Sequence, residues 1–163
     1  MGTTQTNLKI ENRLKNKGIN FIRSDVGDKF VIEKMKEYGS NLGGEQSGHI
    51  ILSDILPTGD GILSAVKILE VIKLERKSLK ELTNIKLMPQ ISTNIIVKDK
   101  VRIKNSEELN SLIRDLEEDF DGRIVVRSSG TENKIRVLVE GKSIKILKEK
   151  ANKIVNLVNK LNF

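Results

Sequence analysis

Residues 43–49 read Gly-Gly-Glu-Gln-Ser-Gly-His and stand directly before an apolar stretch. Glycines at three of seven positions allow tight turns and a close approach of a ligand to the backbone. A carboxylate at Glu45 can accept hydrogen bonds from two neighbouring hydroxyls of a sugar ring, while Ser47 and His49 can donate to the same ligand or exchange protons with it. A glycine-rich turn with exposed polar residues has the same composition, so this segment alone leaves both interpretations open.

Residues 127–133 form a second polar segment, Arg-Ser-Ser-Gly-Thr-Glu-Asn, between two alternating apolar stretches. The Arg127 guanidinium can bind a phosphate group through two parallel hydrogen bonds. The hydroxyls of Ser129 and Thr131, with the backbone amides around Gly130, can complete a cradle for the phosphate oxygens. A polar hairpin turn without a ligand is the alternative interpretation.

The elements that must carry the first segment alternate between helix and strand. The apolar periodicity predicts helices over 8–17, 28–38 and 61–75, and strands over 19–22 and 50–52. The 61–75 segment is apolar over a wide face, which predicts a well-buried helix. This alternation favours an α/β, partly three-layer domain with a mostly parallel sheet.

The second segment belongs to a different pattern. A capping box at Ser78-Leu79-Lys80-Glu81 and the break at Met88-Pro89 place a linker at 78–90, between a first domain at 1–77 and a second at 91–163. The second domain is predicted to contain strands at 91–97, 123–127 and 135–140, a helix capped by Asn105 and Glu108, and a C-terminal helix. We therefore expect a small α+β domain, an antiparallel sheet with two helices. Arg136, in its last strand, could extend the phosphate site or simply be solvated.

Composition sets limits on the chemistry. The chain has 163 residues, no Cys and one His, which excludes disulfides, thiolate zinc sites, cysteine nucleophiles and a His-based metal cluster. No apolar run reaches the roughly 18 residues of a membrane span, so we expect a cytoplasmic protein without a membrane partner. The net charge of +7 indicates anionic partners. Nucleic acid is disfavoured, because aromatic residues are only 3% and lysines outnumber arginines 21 to 8.

Taken together, the two polar segments resemble those of the α-D-phosphohexomutase superfamily. Gly44–His49 resembles the sugar-recognition loop of the third domain of that family, and 127–132, running into Ile135-Arg136-Val137, resembles the phosphate-binding loop of its fourth domain. The segments 26–29 and 41–61 are most similar to the bacterial members that act on glucosamine phosphate. The resemblance covers essentially the whole chain.

The resemblance implies a role for each matched residue. Glu45 and Ser47 would bind hydroxyls of the hexose, and His49 would contact the ligand or handle a proton. The phosphate that does not react would be held by four residues: Arg127, Ser129, Gly130 and Thr131. The family reaction moves a phosphoryl group between the 6- and 1-positions of glucosamine phosphate through a bisphosphorylated intermediate.

The sequence departs from the family pattern in several places. Ser128 and Asn133 stand where the family usually has proline, which should loosen the loop slightly. The serine that carries the phosphoryl group and the Asp-x-Asp-x-Asp loop that binds Mg²⁺ in the full-length enzyme have no counterpart here. We therefore expect an incomplete third domain followed by a whole fourth domain, inactive by itself.

These departures also define the expected partners. They are a phosphorylated hexosamine, the N-terminal domains of the same enzyme and, through an unpaired sheet edge, a second copy of the chain. Two alternatives stay open at this point. One is a free-standing phosphosugar-binding or regulatory module, and the other is a basic nucleic-acid-binding domain that uses the lysines of the C-terminal helix.

Overall fold

Short strands and longer helices alternate through the first half of the chain. In the computed structural model, which describes residues 1–163, they form a unit of residues 1–87. Its elements are β1 (Gly2–Thr3), α1 (Leu8–Lys15), β2 (Arg23–Ser24), α2 (Asp28–Tyr38), β3 (Leu42–Gly44), β4 (Ile50–Leu52), β5 (Leu56–Gly59), α3 (Gly61–Glu75) and α4 (Leu79–Leu82). None of the helices in the chain combines the length and the apolar character needed to cross a membrane.

The strands of this unit form two small sheets. Strands β1 and β2 pair in parallel, whereas β3, β4 and β5 form an antiparallel meander in that order. The mixed α/β class is confirmed, but the expectation of a mostly parallel sheet is wrong. The connections 45–49 and 53–55 are too short for the crossover that parallel neighbours require, so these strands must turn back on one another.

Local signals placed most of these elements correctly. The predicted bounds 28–38, 50–52 and 61–75 are confirmed, and Asp60 caps α3 by accepting a hydrogen bond from the Leu63 amide at 2.7 Å. The strand expected at 19–22 lies at Arg23–Ser24 instead. Its position is set by pairing with Gly2–Thr3, a tertiary contact that the apolar run at 19–22 does not indicate.

The core of the first unit is small. Its buried apolar residues are Val31 and Met35 of α2 and Ile51 of β4. The prediction that α3 is well buried is wrong: Ile62 is 80% exposed and Leu69 is 64% exposed, and only Ser64 is buried in that helix. The meander strands have three or four residues each, which is too little surface to cover a helix of 15 residues.

The second unit, residues 88–163, has a larger sheet. Its elements are β6 (Gln90–Ile96), α5 (Lys100–Lys104), α6 (Glu107–Glu117), β7 (Gly122–Ser128), β8 (Lys134–Gly141) and α7 (Ile144–Leu161). The strands are antiparallel in the order β6-β8-β7. The antiparallel sheet is confirmed, with a third, short helix, α5, beside the two expected ones.

The cap of α6 differs from the sequence prediction by one residue. Asn105 ends α5, and Ser106 caps α6 by accepting a hydrogen bond from the Leu109 amide. The reason is that α5 already uses Asn105, whose amide donates to the carbonyl of Val101 at 3.1 Å. The predicted apolar stripe of α6 is unaffected, and Leu109 and Leu116 are buried.

The two faces of this sheet differ in chemistry. Ile135, Val137 and Val139 of β8 are buried in a core that also includes residues of all three helices. The alternate positions of β8 point to the other face, because side chains of a strand alternate in direction. There Arg136 lies directly between Asn94 of β6 and Arg127 of β7, so the sheet places a polar row beside the 129–133 loop.

Candidate functional site

The first polar segment is a hairpin loop between β3 and β4. The amide of Glu45 donates to the carbonyl of His49 at 2.9 Å, and the amide of Gly48, whose φ is +98°, donates to the carbonyl of Glu45 at 3.1 Å. At Gly43 a Cβ atom would lie 2.3 Å from the Met35 sulfur. The glycines therefore close the turn and let β3 pack directly against α2.

The Glu45 carboxylate lies at the centre of this loop, and its side chain is only 9% exposed. One oxygen, Oε1, accepts a hydrogen bond from the Gly27 amide at 2.7 Å, and Oε2 accepts one from the Ser47 hydroxyl at 3.3 Å. The carboxylate is thus held in one orientation by a backbone group from outside the loop. Its Oε2 atom can still accept a second hydrogen bond.

His49 completes the cluster with Asp28. Its Nδ1 donates to Asp28 Oδ1 at 2.9 Å and lies 3.7 Å from Glu45 Oε2. The hydrogen bond and charge of Asp28, with a smaller contribution from Glu45, raise the pKa of His49 above its ordinary value. The imidazole is exposed, so its Nε2 can meet a ligand while Asp28 holds the ring.

The structure therefore brings Glu45, Ser47 and His49 together and adds Asp28. Sequence reasoning missed Asp28 as a site residue, although it lies in the 26–29 segment that carried part of the resemblance. Gln46 is exposed and lies outside the cluster of contacts.

Three atoms of this cluster could together hold a cation. The ligand atoms of Asp28, Glu45 and His49 lie within 4.8 Å of one another. The set suits Mg²⁺ poorly, because that ion prefers six oxygen ligands in octahedral geometry and one donor here is an imidazole nitrogen. The hydrogen bonds already made among these groups account for their positions.

A cleft of about 260 Å³ lies elsewhere on this unit, lined in part by Met35, Ile51 and Pro57. Neither Glu45, Ser47 nor His49 contributes to it. We assign the site to the polar cluster rather than to the cleft, because the polar cluster carries the groups that can bind hydroxyls and exchange protons.

The second polar segment connects β7 and β8. The amide of Ser129 donates to the carbonyl of Lys134 at 2.9 Å, and the carbonyl of Asn133 accepts from the Val97 amide at 2.9 Å. Ser129 is buried, while Gly130 and Thr131 at the tip are exposed. The amides of these two tip residues make no hydrogen bond within the chain, so they are free to receive an anion.

Two arginines flank this loop. Arg127 and Arg136 are directly opposite each other in the β7–β8 ladder, so both project from the same face. The Nη2 atom of Arg136 donates to Glu132 Oε2 at 3.1 Å and to Ser129 Oγ at 3.4 Å. The buried Nε of Arg136 has no hydrogen-bond partner. Two opposed cations are unfavourable without an anion between or beside them, and Glu132 supplies one negative charge.

Further cations surround the same loop. The ion pair with Lys134, and then the charge of Arg136, lower the pKa of Glu132 below its ordinary value. The Lys100 ammonium donates to the carbonyls of Ser129 and Glu132 at 2.7 and 3.1 Å. Sequence reasoning missed Lys100, because it lies 29 positions before Ser129 in the chain. It also missed Glu132, because a carboxylate is not expected to bind a phosphate.

The four residues predicted to bind a phosphate all lie in or beside this loop. Arg127 is the last residue but one of β7, the strand that enters the loop. Ser129 is buried at the base of the loop, and Gly130 and Thr131 form its exposed tip. Arg127, Lys100, Lys134 and Arg136 carry four positive charges around this one loop, against the single carboxylate of Glu132. The arrangement favours an anion with several oxygens.

Comparison with known protein families divides the chain as the two sites do. Residues 1–88 match the family described as phosphoglucomutase/phosphomannomutase, alpha/beta/alpha domain III. Residues 93–157 match the family described as phosphoglucomutase/phosphomannomutase, C-terminal domain. Each site thus lies in its own family domain.

Curated relatives carry a more specific name. The chain is 40% identical over 161 residues to the phosphoglucosamine mutase of Bacillus subtilis. The aligned region covers 97% of this chain and 36% of that protein. It is 43% identical over 164 residues to the phosphoglucosamine mutase of Thermodesulfovibrio yellowstonii, and this alignment covers 98% of this chain and 36% of that protein. The chain therefore spans about a third of the length of these relatives.

Solved structures agree in fold. An Aspergillus fumigatus N-acetylphosphoglucosamine mutase in complex with GlcNAc-6P and magnesium superposes with a TM-score of 0.82 at 18% identity, covering 96% of this chain and 40% of the other. An N-acetylglucosamine-phosphate mutase of the α-D-phosphohexomutase superfamily, in its substrate complex, gives a TM-score of 0.80 at 19% identity, covering 96% and 38%. The domain matches and this common fold together establish that the chain belongs to the phosphoglucomutase/phosphomannomutase family.

Proposed function

We propose that this chain provides the sugar- and phosphate-binding part of an enzyme that interconverts glucosamine 6-phosphate and glucosamine 1-phosphate through a bisphosphorylated intermediate. The observation that carries the proposal is the 129–133 loop. It presents two amides without internal partners beside two arginines that lie opposite each other in the sheet. The names of the curated relatives support the choice of reaction and of sugar.

The phosphate that does not react is assigned to the second unit. Arg127 would bind two of its oxygens, the Ser129 and Thr131 hydroxyls would donate to others, and the Gly130 amide would complete the cradle. Arg136 joins this set, because a bound dianion would neutralise the two opposed arginines. One such loop can serve both orientations of the substrate, since a phosphate occupies it at either stage.

The sugar is assigned to the first unit. Glu45 Oε2 would accept a hydrogen bond from a hexose hydroxyl and Ser47 would bind a neighbouring one. His49, held by Asp28, would donate from its Nε2 when protonated. Its raised pKa extends the pH range in which it carries that proton.

The remaining chemistry belongs to parts of the protein that this chain does not contain. We assign residues 1–77 to sugar recognition, 78–90 to a linker and 91–163 to phosphate binding. The serine that carries the transferred phosphoryl group and the ligands of Mg²⁺ would lie in the N-terminal domains of the enzyme. Mg²⁺ would supply charge stabilisation for phosphoryl transfer, while the residues described here position the substrate. In a bacterial cell, the product would be an amino-sugar precursor of the cell wall.

A titration tests this assignment. Glucosamine 6-phosphate should bind more tightly than unphosphorylated glucosamine, and Arg127→Ala should lower the affinity for the phosphosugar at least about tenfold. Lys148→Ala removes an exposed lysine of α7 and is the control for net charge. Equal binding of both sugars, or equal effects of the two substitutions, would refute the phosphate site.

A mixing experiment separates enzyme from binding module. The chain is combined with the separately expressed N-terminal domains of the B. subtilis relative, and formation of glucosamine 1-phosphate is measured. Activity that requires Arg127 supports a mutase component. Tight phosphosugar binding without any activity in the mixture favours a free-standing binding module.

A further inference from the structure

We propose that Lys100 is a positioning residue of the phosphate loop, residues 129–133, and that it orients the Gly130 amide toward the bound anion. The proposal rests on the phosphate site assigned above. It concerns a residue outside the loop, 29 positions before Ser129 and 32 before Glu132.

The base of the Lys100 side chain is held firmly. Lys100 is the first residue of α5, whose N-terminus is capped by Asp99 through hydrogen bonds to the amides of Val101 and Arg102 at 3.0 and 2.9 Å. Ile103 of the same short helix is buried in the core of the unit. The ammonium therefore approaches the loop from a fixed point.

The two carbonyls that Lys100 binds stand on either side of the loop tip. Its Nζ donates to the carbonyl of Ser129 at 2.7 Å and to that of Glu132 at 3.1 Å, and residues 130 and 131 lie between them. A second donor, the Lys134 amide, also holds the Glu132 carbonyl, at 2.9 Å. Lys100 therefore matters most for the orientation of the Ser129 carbonyl, which accepts no other hydrogen bond within the chain.

The planarity of the peptide group links that carbonyl to the amide on the other side of the bond. The carbonyl of Ser129 and the N–H of Gly130 belong to one trans peptide unit and point in opposite directions. Because Lys100 binds the carbonyl, the Gly130 N–H must point away from the ammonium. Lys100 therefore acts on the anion through the backbone rather than by contact.

Without the ammonium, this peptide group would have little to hold it. Gly130 tolerates either orientation of the preceding peptide, and residues 128–133 contain no proline. A rotated peptide would present its carbonyl oxygen to the phosphate, and the partly negative carbonyl oxygen and the negatively charged phosphate oxygens would repel each other. The loss would thus be larger than the removal of one distant positive charge.

The test compares three variants of the whole chain. Lys100→Met removes the donors but keeps most of the length of the side chain, and Lys100→Arg restores donors. Lys148→Met removes the same charge from the exposed face of α7 and serves as the control. Affinity for glucosamine 6-phosphate and for inorganic phosphate is measured at low and high salt. We expect Lys100→Met to lower both affinities about tenfold at either salt concentration. The affinities of Lys148→Met should stay within about twofold of wild type, and Lys100→Arg should recover most of the affinity lost in Lys100→Met.

A second readout needs no ligand. The NMR shift and hydrogen-exchange rate of the Gly130 amide should change in Lys100→Met, return toward wild type in Lys100→Arg and stay unchanged in Lys148→Met, with the thermal unfolding midpoint nearly constant. An unaltered Gly130 amide in Lys100→Met overturns the proposal. So does a loss of affinity that disappears at high salt, which would mark a simple charge effect. If wild type binds neither phosphate compound, the proposed function fails, and the amide measurement still decides the role of Lys100.

Discussion

The longest helices of the two units, α3 and α7, are both rich in apolar residues, yet only α7 is covered. In α7 the side chains of Leu147, Ile154 and Val158 are fully buried against a sheet whose strands have seven or eight residues. In α3, Ile62 is 80% exposed and Leu74 is 74% exposed. An apolar helix is therefore buried only where the surrounding elements offer enough surface to receive it.

The same contrast separates the two candidate sites. The loop at 129–133 connects the edge strand β7 to the central strand β8, in a sheet with a continuous core on one face. The loop at 45–49 stands on a core of Val31, Met35 and Ile51. Its polar cluster is held mainly by the hydrogen bond that the Gly27 amide donates to Glu45 and by the one that Asp28 accepts from His49. We expect the first unit to be the less stable of the two.

The largest expected effect tests the burial of the two helices directly. Ile154→Ala should lower the free energy of unfolding of the second unit by about 3 kcal/mol, because it leaves a cavity in the core. Leu69→Ala on α3 should change stability by no more than about 0.5 kcal/mol. Denaturant unfolding of both variants measures this difference. Similar losses in the two variants would mean that α3 is covered in solution.

The next largest effect on stability is expected from replacing a glycine with alanine, and it should differ between Gly43, beside the first loop, and Gly130, in the second loop. Gly43→Ala should destabilise the first unit by about 1–3 kcal/mol, since its Cβ would lie 2.3 Å from the Met35 sulfur. Gly130→Ala should leave the stability nearly unchanged, because a Cβ there meets nothing within 4 Å. Thermal unfolding of the two variants gives the comparison. A tolerated Gly43→Ala would show that β3 and α2 can separate cheaply.

The exposed face of α3 should also promote self-association of the chain, because exposed apolar patches favour contact with another surface. The apparent mass in sedimentation velocity should rise with protein concentration. The double substitution Ile62→Glu and Leu69→Glu should abolish this rise, whereas Lys148→Glu should not. A wild-type chain that remains monomeric at every concentration contradicts the prediction.

The smallest effect is the response of the two loops to pH. Asp28 raises the pKa of His49, so the folded state binds this proton more tightly than the unfolded state. The stability gained is fully present below the ordinary pKa of His49 and is lost as pH rises through the raised value. Lys134 lowers the pKa of Glu132, whose contribution is present above its ordinary pKa and is lost as pH falls through the lowered value.

Unfolding as a function of pH checks both signs. Asp28→Asn should remove most of the pH dependence of stability near neutral pH and leave the acid range unchanged, because Glu45 contributes the smaller part. Glu132→Gln should remove part of the pH dependence of stability in the acid range only. A wild-type stability that rises through neutral pH, with Asp28→Asn reversing the trend, would contradict the assignment for His49.

Much of the site could be predicted because its residues lie next to one another in the chain. Glu45, Ser47 and His49 are drawn together by a single hairpin turn, and the 127–133 segment forms one loop between two paired strands. Asp28 and Lys100 could not be assigned in this way. They reach the loops from 21 and 29 positions away, and nothing in their local sequence distinguishes them from other charged residues.

By itself, the sequence determined the bounds of α2 and α3, the composition of both loops and the family to which the chain is similar, since periodicity, capping and motifs are local properties. Only the tertiary structure decided that β3, β4 and β5 are antiparallel, that α3 is exposed and that Asp28 and Lys100 hold the two loops. The physical reason is that burial and hydrogen bonding between distant residues depend on the path of the whole backbone. The pattern along one element shows what it could bury, and its neighbours determine what it does bury.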